Sequence, residues 1–224
     1  SHPYKDTANI FFFPDFDRET EESGAHTHNI KNVVTGIEVD KKGARANGNG
    51  SFACGPNAQA YGNGATAVGH NARAHRAGAT AVGHDAHAHG KGAVAVGEDS
   101  YAKGKGAIAV GEDSYAKGKG AIAIGKDAEA KGDYATADGY DALADGKGAT
   151  ATGAKSKALD DYATADGYKA KANGFGATAT GAFSEAEGFF ATADGFGAKA
   201  NGFGTTATGA FSKAEDPFAT ADGF

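Results

Sequence analysis

The sequence predicts an all-β protein, a parallel β-solenoid built from 14-residue coils. Three observations predict it: a glycine that returns at a fixed interval, alanines at fixed places around it, and a period-two alternation between the corners. The glycine register runs from Gly55 through Gly69, Gly83, Gly97, Gly111 and Gly125 to Gly223, always fourteen residues on and without one insertion. Alanine stands two residues before each of these glycines, from Ala53 to Ala221, and another five residues after, from Ala60 to Ala214. Repetition of this kind decides architecture before any local pattern does.

Fourteen residues are too few for a helical hairpin. They suit two strands of about five residues joined by two tight turns. "GAIAVG" (106–111) and "SYAKG" (100–104) both alternate with period two, the strand signature. Glycine at the corners supplies the positive φ that tight turns need. No glycine belongs to a P-loop or a dinucleotide fingerprint, so these are corners and not phosphate cradles. With coils ~4.8 Å apart, the ladder makes a rod roughly 60 Å long. The repetitive domain spans residues 47–224, and from about residue 126 its period doubles to twenty-eight. Residues 1–46 break the rhythm. There "NIFFFPDF" (9–16) is strongly apolar and the acidic "DRETEES" follows, which reads as a cap over the first coil.

The side chains that face inward follow from the second half of the chain. Around "SYAK" the larger residues Asp99, Tyr101 and Lys103 face out, leaving Ser100 and Ala102 inside. In the other strand either Ala107 and Ala109 or Ile108 and Val110 face in. Beyond residue 126 the aliphatic places become Thr136 and Asp138, Thr150 and Thr152, Thr164 and Asp166, while the flanking alanines persist. A carboxylate without partners inside a two-sheet roll would cost several kcal/mol. The interior is therefore expected to be alanine throughout. Val68, Val82, Val94, Val96, Ile108, Val110, Ile122 and Ile124 then form one exposed apolar stripe. Hiding these eight side chains is worth roughly 12–24 kcal/mol before entropy. A stripe of that size marks an interface between copies, closed by rotation about an axis parallel to the rod. "YATADGY" at 134–140 and 162–168 and "FATADGF" at 190–196 and 218–224 bracket each Asp coil with aromatics. Tyr134, Tyr140, Tyr162, Tyr168, Phe190 and Phe196 are expected to supply the interface area that the Thr and Asp coils lose.

Composition narrows the chemistry. The 224 residues include 36 glycines and neither methionine nor tryptophan, so a core of large side chains is hard to build. A net charge of −6 argues against a nucleic-acid partner. No run approaches a membrane span. The opening "SHPYKD" is no signal peptide, and the chain reads as a fragment of a longer protein. The single Cys54 excludes an internal disulfide and occupies the place that Val68 takes one coil later, as a small apolar filler. Glu98, Asp99, Glu112, Asp113 and Asp127 line one turn, and Lys91, Lys103, Lys105, Lys117, Lys119 and Lys131 the other. Every coil repeats these charges without a distinct pocket, so they make poor catalytic candidates. In a symmetric assembly the acidic edge of one copy would meet the basic edge of the next. Stacked histidines, His70 near His84 and His75 near His89, have the residue type that zinc or nickel takes. No carboxylate or cysteine completes an obvious tetrahedral set, so they are read as solvated turn residues. His84, His87 and His89 are the weak candidates should a metal bind. No cofactor and no catalytic residue are expected.

"GAVAVGEDSYAKGKGAIAVG" (92–111), repeated with "AIAIG" at 121–125, resembles the head domains of YadA-like trimeric autotransporter adhesins. The resemblance covers about residues 47–224 and is best over 64–132. It implies a left-handed parallel β-roll, a homotrimer, display on a Gram-negative outer membrane, and binding to a host matrix protein or cell-surface receptor without enzymatic activity. In that family a neck, a stalk and a C-terminal membrane anchor carry the head, so the membrane would be reached only through an anchor outside this fragment. The later "ATADG" and "ATATG" coils leave the family's aliphatic pattern, so the resemblance carries the scaffold and not a particular ligand. The alternative function is an ice- or crystal-binding surface on the ladder from Thr136 to Thr220, against which the interleaved Asp138, Asp166, Asp194 and Asp222 count.

Overall fold

A computed structural model of the chain describes Val33–Val34 and residues 43–223. These residues form a parallel β-solenoid of two sheets, one of 14 strands and one of 13, each strand hydrogen-bonded to its counterparts in the adjoining coils. Register is strict. Ile108 lies between Val94 and Ile122, Ala109 between Ala95 and Ala123, and Tyr101 between His87 and Tyr115. The 14-residue period thus stacks like on like.

The strands are shorter than the five residues expected from the sequence. One sheet uses three residues per coil, as in Ile108–Val110, and the other two, as in Tyr101–Ala102. The corners consume the rest, because each holds a two-residue turn with a left-handed residue in it. We call the corner before each three-residue strand leading (Lys105–Gly106) and the one after it trailing (Glu112–Asp113). Arg45–Ala46 already pairs with Gln59–Ala60, and Val33–Val34 lies parallel to Phe52 and Ala53 on the free end of the larger sheet. "NIFFFPDF" and "DRETEES", expected to cap the roll, lie outside the described residues.

The interior is alanine, as the persistence of that residue required. Ala107 and Ala109 are fully buried, and the buried apolar core of the described residues contains no other residue type. Ile108 and Val110 face outward and are half-buried. Ser100, Ser114 and Ser184 take alanine's place at some coils, and each donates its hydroxyl to the carbonyl three residues earlier, at 3.1, 2.9 and 2.8 Å. Buried hydroxyls so paired carry little penalty.

Glycine recurs because two places in the coil leave little room for a Cβ, the first held by glycine in every coil from Gly55 to Gly223 and the second in most, with Arg76, Asp160 and Asp216 as exceptions. At Gly111 φ is +132°, and an added Cβ would lie 2.5 Å from the carbonyl oxygen of Gly125. At Gly104 the same addition would lie 1.8 Å from the Gly118 oxygen. The trailing corner is less strict. Asn57, Asn71, Asp85, Asp99, Asp113 and Asp127 hold it with φ between 50° and 59°, as the residues that tolerate this region best after glycine.

The doubled period has a packing cause. Tyr134, Tyr162, Phe190 and Phe218 adopt positive φ at a leading-corner place that is glycine in the coil before. Each ring folds back over that glycine: a Cβ on Gly120 would lie 3.0 Å from the Tyr134 ring, and one on Gly176 equally close to Phe190. A side chain on that glycine would press on the ring, which favours glycine in the coil before it. Aromatic and glycine therefore alternate.

Candidate functional site

Four surfaces run the length of the rod. On the three-residue sheet Val68, Val82, Val94, Val96, Ile108, Val110 and Ile122 face outward half-buried, and Ile124 is exposed. In-register pairing makes them two continuous columns. From residue 136 the same columns carry threonine and aspartate, with Asp138 beside Ile124 on one side and Thr152 on the other. Thr208 donates its hydroxyl to Asp222 one coil on.

The two corners flank this sheet and change character together. Over the coils of Val94–Val110 the trailing corner carries Glu98, Asp99, Glu112 and Asp113, and the leading corner Lys91, Lys105 and Lys119; one coil on, Lys126 joins the trailing corner and pairs with Glu112 at 2.8 Å. Farther along, both become aromatic. Tyr168, Phe183, Phe196 and Phe211 stack edge-to-face down the trailing corner at 5.3–5.6 Å. Tyr162, Phe175, Phe190, Phe203 and Phe218 do the same down the leading corner at 5.3–6.2 Å. Tyr134 and Tyr140 sit one on each corner, each with a lysine ammonium over its ring, Lys119 at 5.5 Å and Lys155 at 5.8 Å. Most of these rings are 42–55% exposed, Phe211 and Phe218 are 74% exposed, and Phe175 is half-buried. The "YATADGY" motif pointed to the rings that bracket each Asp coil. It missed Phe175, Phe183, Phe203 and Phe211, which lie in the intervening coils. Their signal was the period itself: Phe175, Phe189 and Phe203 stand one coil apart, and Phe183 and Phe211 two coils apart with Gly197 between them. That spacing becomes meaningful only once the corners are known.

The fourth surface is the outer face of the two-residue sheet. In its first coils Tyr61, His75, His89, Tyr101 and Tyr115 form one column of rings, with centroids 4.1–5.5 Å apart. Arg73 Nε and His75 Nε2 are buried there without a hydrogen-bond partner. Burial, helped by the nearby His89, His87, Arg73 and Arg76, lowers the His75 pKa to about 4. Burial also lowers those of His87 and His89, with added positive charge from Arg73 beside His87 and from Lys103 beside His89.

The histidines expected as one group are thus divided. His87 and His89 belong to this sheet face, whereas His84 sits on the trailing corner, its ring stacked on His70 at 5.0 Å. A carboxylate lies beside this pair. Asp85 Oδ2 lies 3.1 Å from His84 Nδ1, and donor atoms of His70, His84 and Asp85 lie within 4.8 Å of one another. Spacing along the chain gave no sign of it, because the left-handed corner at Asp85 (φ 50°) turns the carboxylate onto the stack.

A parallel solenoid of alanine-filled 14-residue coils, with its larger apolar residues outside, is the class of protein that these features define. The model of the YadA head domain repeat matches residues 46–72, 60–86, 77–100, 88–114, 102–128, 116–142, 144–170 and 200–221. The chain belongs to the YadA head family. Among solved structures, the collagen-binding domain of the Yersinia adhesin YadA is similar, at 24% identity over 82% of this chain and 71% of that one, with a TM-score of 0.23. No curated protein matches the chain.

Proposed function

We propose that the chain is the non-enzymatic head of a cell-surface adhesin, three copies of which stand parallel and in register around a common axis. Their three-residue sheets face the axis. The stripe from Val68 to Ile124 fills the seam in the first half, and Tyr134, Tyr140, Tyr162, Tyr168, Phe190 and Phe196 take over its edges in the second. Displayed on a bacterial outer membrane through an anchor carried elsewhere in its protein, such a head binds host matrix proteins or cell-surface molecules through many weak, repeated contacts.

The observation that carries this reading is the coordinated change of the two corners. Ring contacts among the described residues run along each corner and never across from one to the other. The acidic stretch Glu98–Asp99 and Glu112–Asp113 lies at the height of Lys91, Lys105 and Lys119, and rings lie at the height of rings in the later coils. Rotation about an axis parallel to the rod lays the trailing corner of one copy against the leading corner of the next at the same height. An antiparallel pair would set acidic coils against aromatic ones.

Binding is tested by passing the assembled protein over a panel of immobilised matrix proteins and host-cell surfaces. The proposal expects saturable binding to at least one, weakened when the assembly is dissociated. Failure to bind any of them would contradict the adhesive role. The exposed Asp138, Asp166 and Asp194 stand in the column beside the threonine ladder and put charge on that face, so no thermal hysteresis is expected in an ice-growth assay.

A further inference from the structure

We infer that the trailing corner of three consecutive coils, at His70, His84, Asp85 and Glu98, is a binding site for a borderline divalent cation of the zinc and nickel class. The parallel ladder brings the donors together. His70 and His84 occupy the same corner place fourteen residues apart, which stacks their rings at 5.0 Å and only 12° from parallel. Asp85 and Glu98 approach the same nitrogen from the corner and from the next coil, with carboxylate oxygens 3.1 and 3.9 Å from His84 Nδ1. Two imidazoles with carboxylate oxygens are a donor set that such cations accept.

The separations are close to those required. Zinc bonds of ~2.0–2.1 Å in a tetrahedron hold ligand atoms about 3.3 Å apart. The donors of His70, His84 and Asp85 lie within 4.8 Å of one another; each imidazole lone pair lies in its ring plane and the two rings are only 12° from parallel, so binding turns the rings about their side-chain bonds until both nitrogens point at one ion. His84 and Glu98 are 51% and 63% exposed and free to turn. The other stacked pair, His75 and His89, has rings closer still at 4.1 Å, but Arg73, Arg76 and Lys103 surround it with positive charge. A dication is repelled there and attracted to the corner. All donors come from one chain, and in the assembly proposed above this corner lies against the leading corner of the next copy, which at this height carries Asn63, Ala77 and Lys91.

Titration of the assembled protein with zinc chloride in a calorimeter tests the site. One zinc per chain is expected. The His70→Ala and His84→Ala variants should each weaken binding by more than the ~10–100-fold that loss of an orienting partner costs. Asp85→Asn keeps a residue that tolerates the left-handed corner and should also weaken it. His89→Ala, and a chain with His2, His26 and His28 all replaced by alanine, should bind as the parent does. Cobalt(II) gives a second readout, a tetrahedral visible absorption that His84→Ala abolishes while the circular dichroism of the roll is unchanged. Heat and spectrum that survive in the His70→Ala, His84→Ala double variant, or no uptake by the parent, would leave only an exposed contact between His84 and Asp85 and overturn the inference.

Discussion

The smallest side chains set the geometry of this protein. Gly111 combines a left-handed backbone with a neighbouring carbonyl that leaves no room for a methyl group. Gly111→Ala should therefore destabilise the fold by more than the ~1–3 kcal/mol of a strained residue alone, read as a lower denaturation midpoint in urea. A Gly106→Ala change meets only the left-handed strain, since open space surrounds that position, and should cost less. His75 gives the protein an acid sensitivity. Its folded pKa of about 4 lies below the ordinary 6.5, so the unfolded chain takes up the proton first. The stability it costs is absent above pH 6.5 and grows as the pH falls toward 4. His75→Phe keeps a ring in the column and removes the proton site. Urea melts at pH 7 and pH 5 should show a smaller drop for the variant than for the parent, and an equal drop would contradict the assignment.

At the level of strands, the inside and outside of each coil were legible because the sequence varies one set of positions and holds the other. Ile122 and Ile124 give way to Thr136 and Asp138 while Ala123 and Ala137 do not change. Such a contrast identifies the buried face without a structure. Strand length was not legible, since "GAIAVG" alternates through residues that the structure gives to corners. Nor was the aromatic–glycine alternation, which depends on the Tyr134 ring lying back over Gly120, a contact across coils and not along the chain. The same holds for the histidines: the stack of His70 on His84 followed from the period, but Asp85 joined it only through a corner conformation. The alanine interior makes its own prediction. Ala109 is fully buried between Ala95 and Ala123, so Ala109→Val inserts two methyl groups into a filled layer. It should cost about 1–3 kcal/mol in chemical denaturation, whereas Ser100→Ala, which many coils already resemble, should cost under about 1.5 kcal/mol.

Across the whole molecule the arrangement is inverted relative to an ordinary globule, with methyl groups within and the larger aliphatic and aromatic side chains outside. A single chain buries little apolar surface per coil, and its stripe and ring ladders remain in water. Association of parallel copies would cover them, and the paired change from charge to ring along the two corners gives the register. The mass in solution, measured by light scattering at micromolar concentration, tests this most directly. The account predicts three times the 22.3 kDa of one chain; a stable species with the mass of a single chain would contradict it.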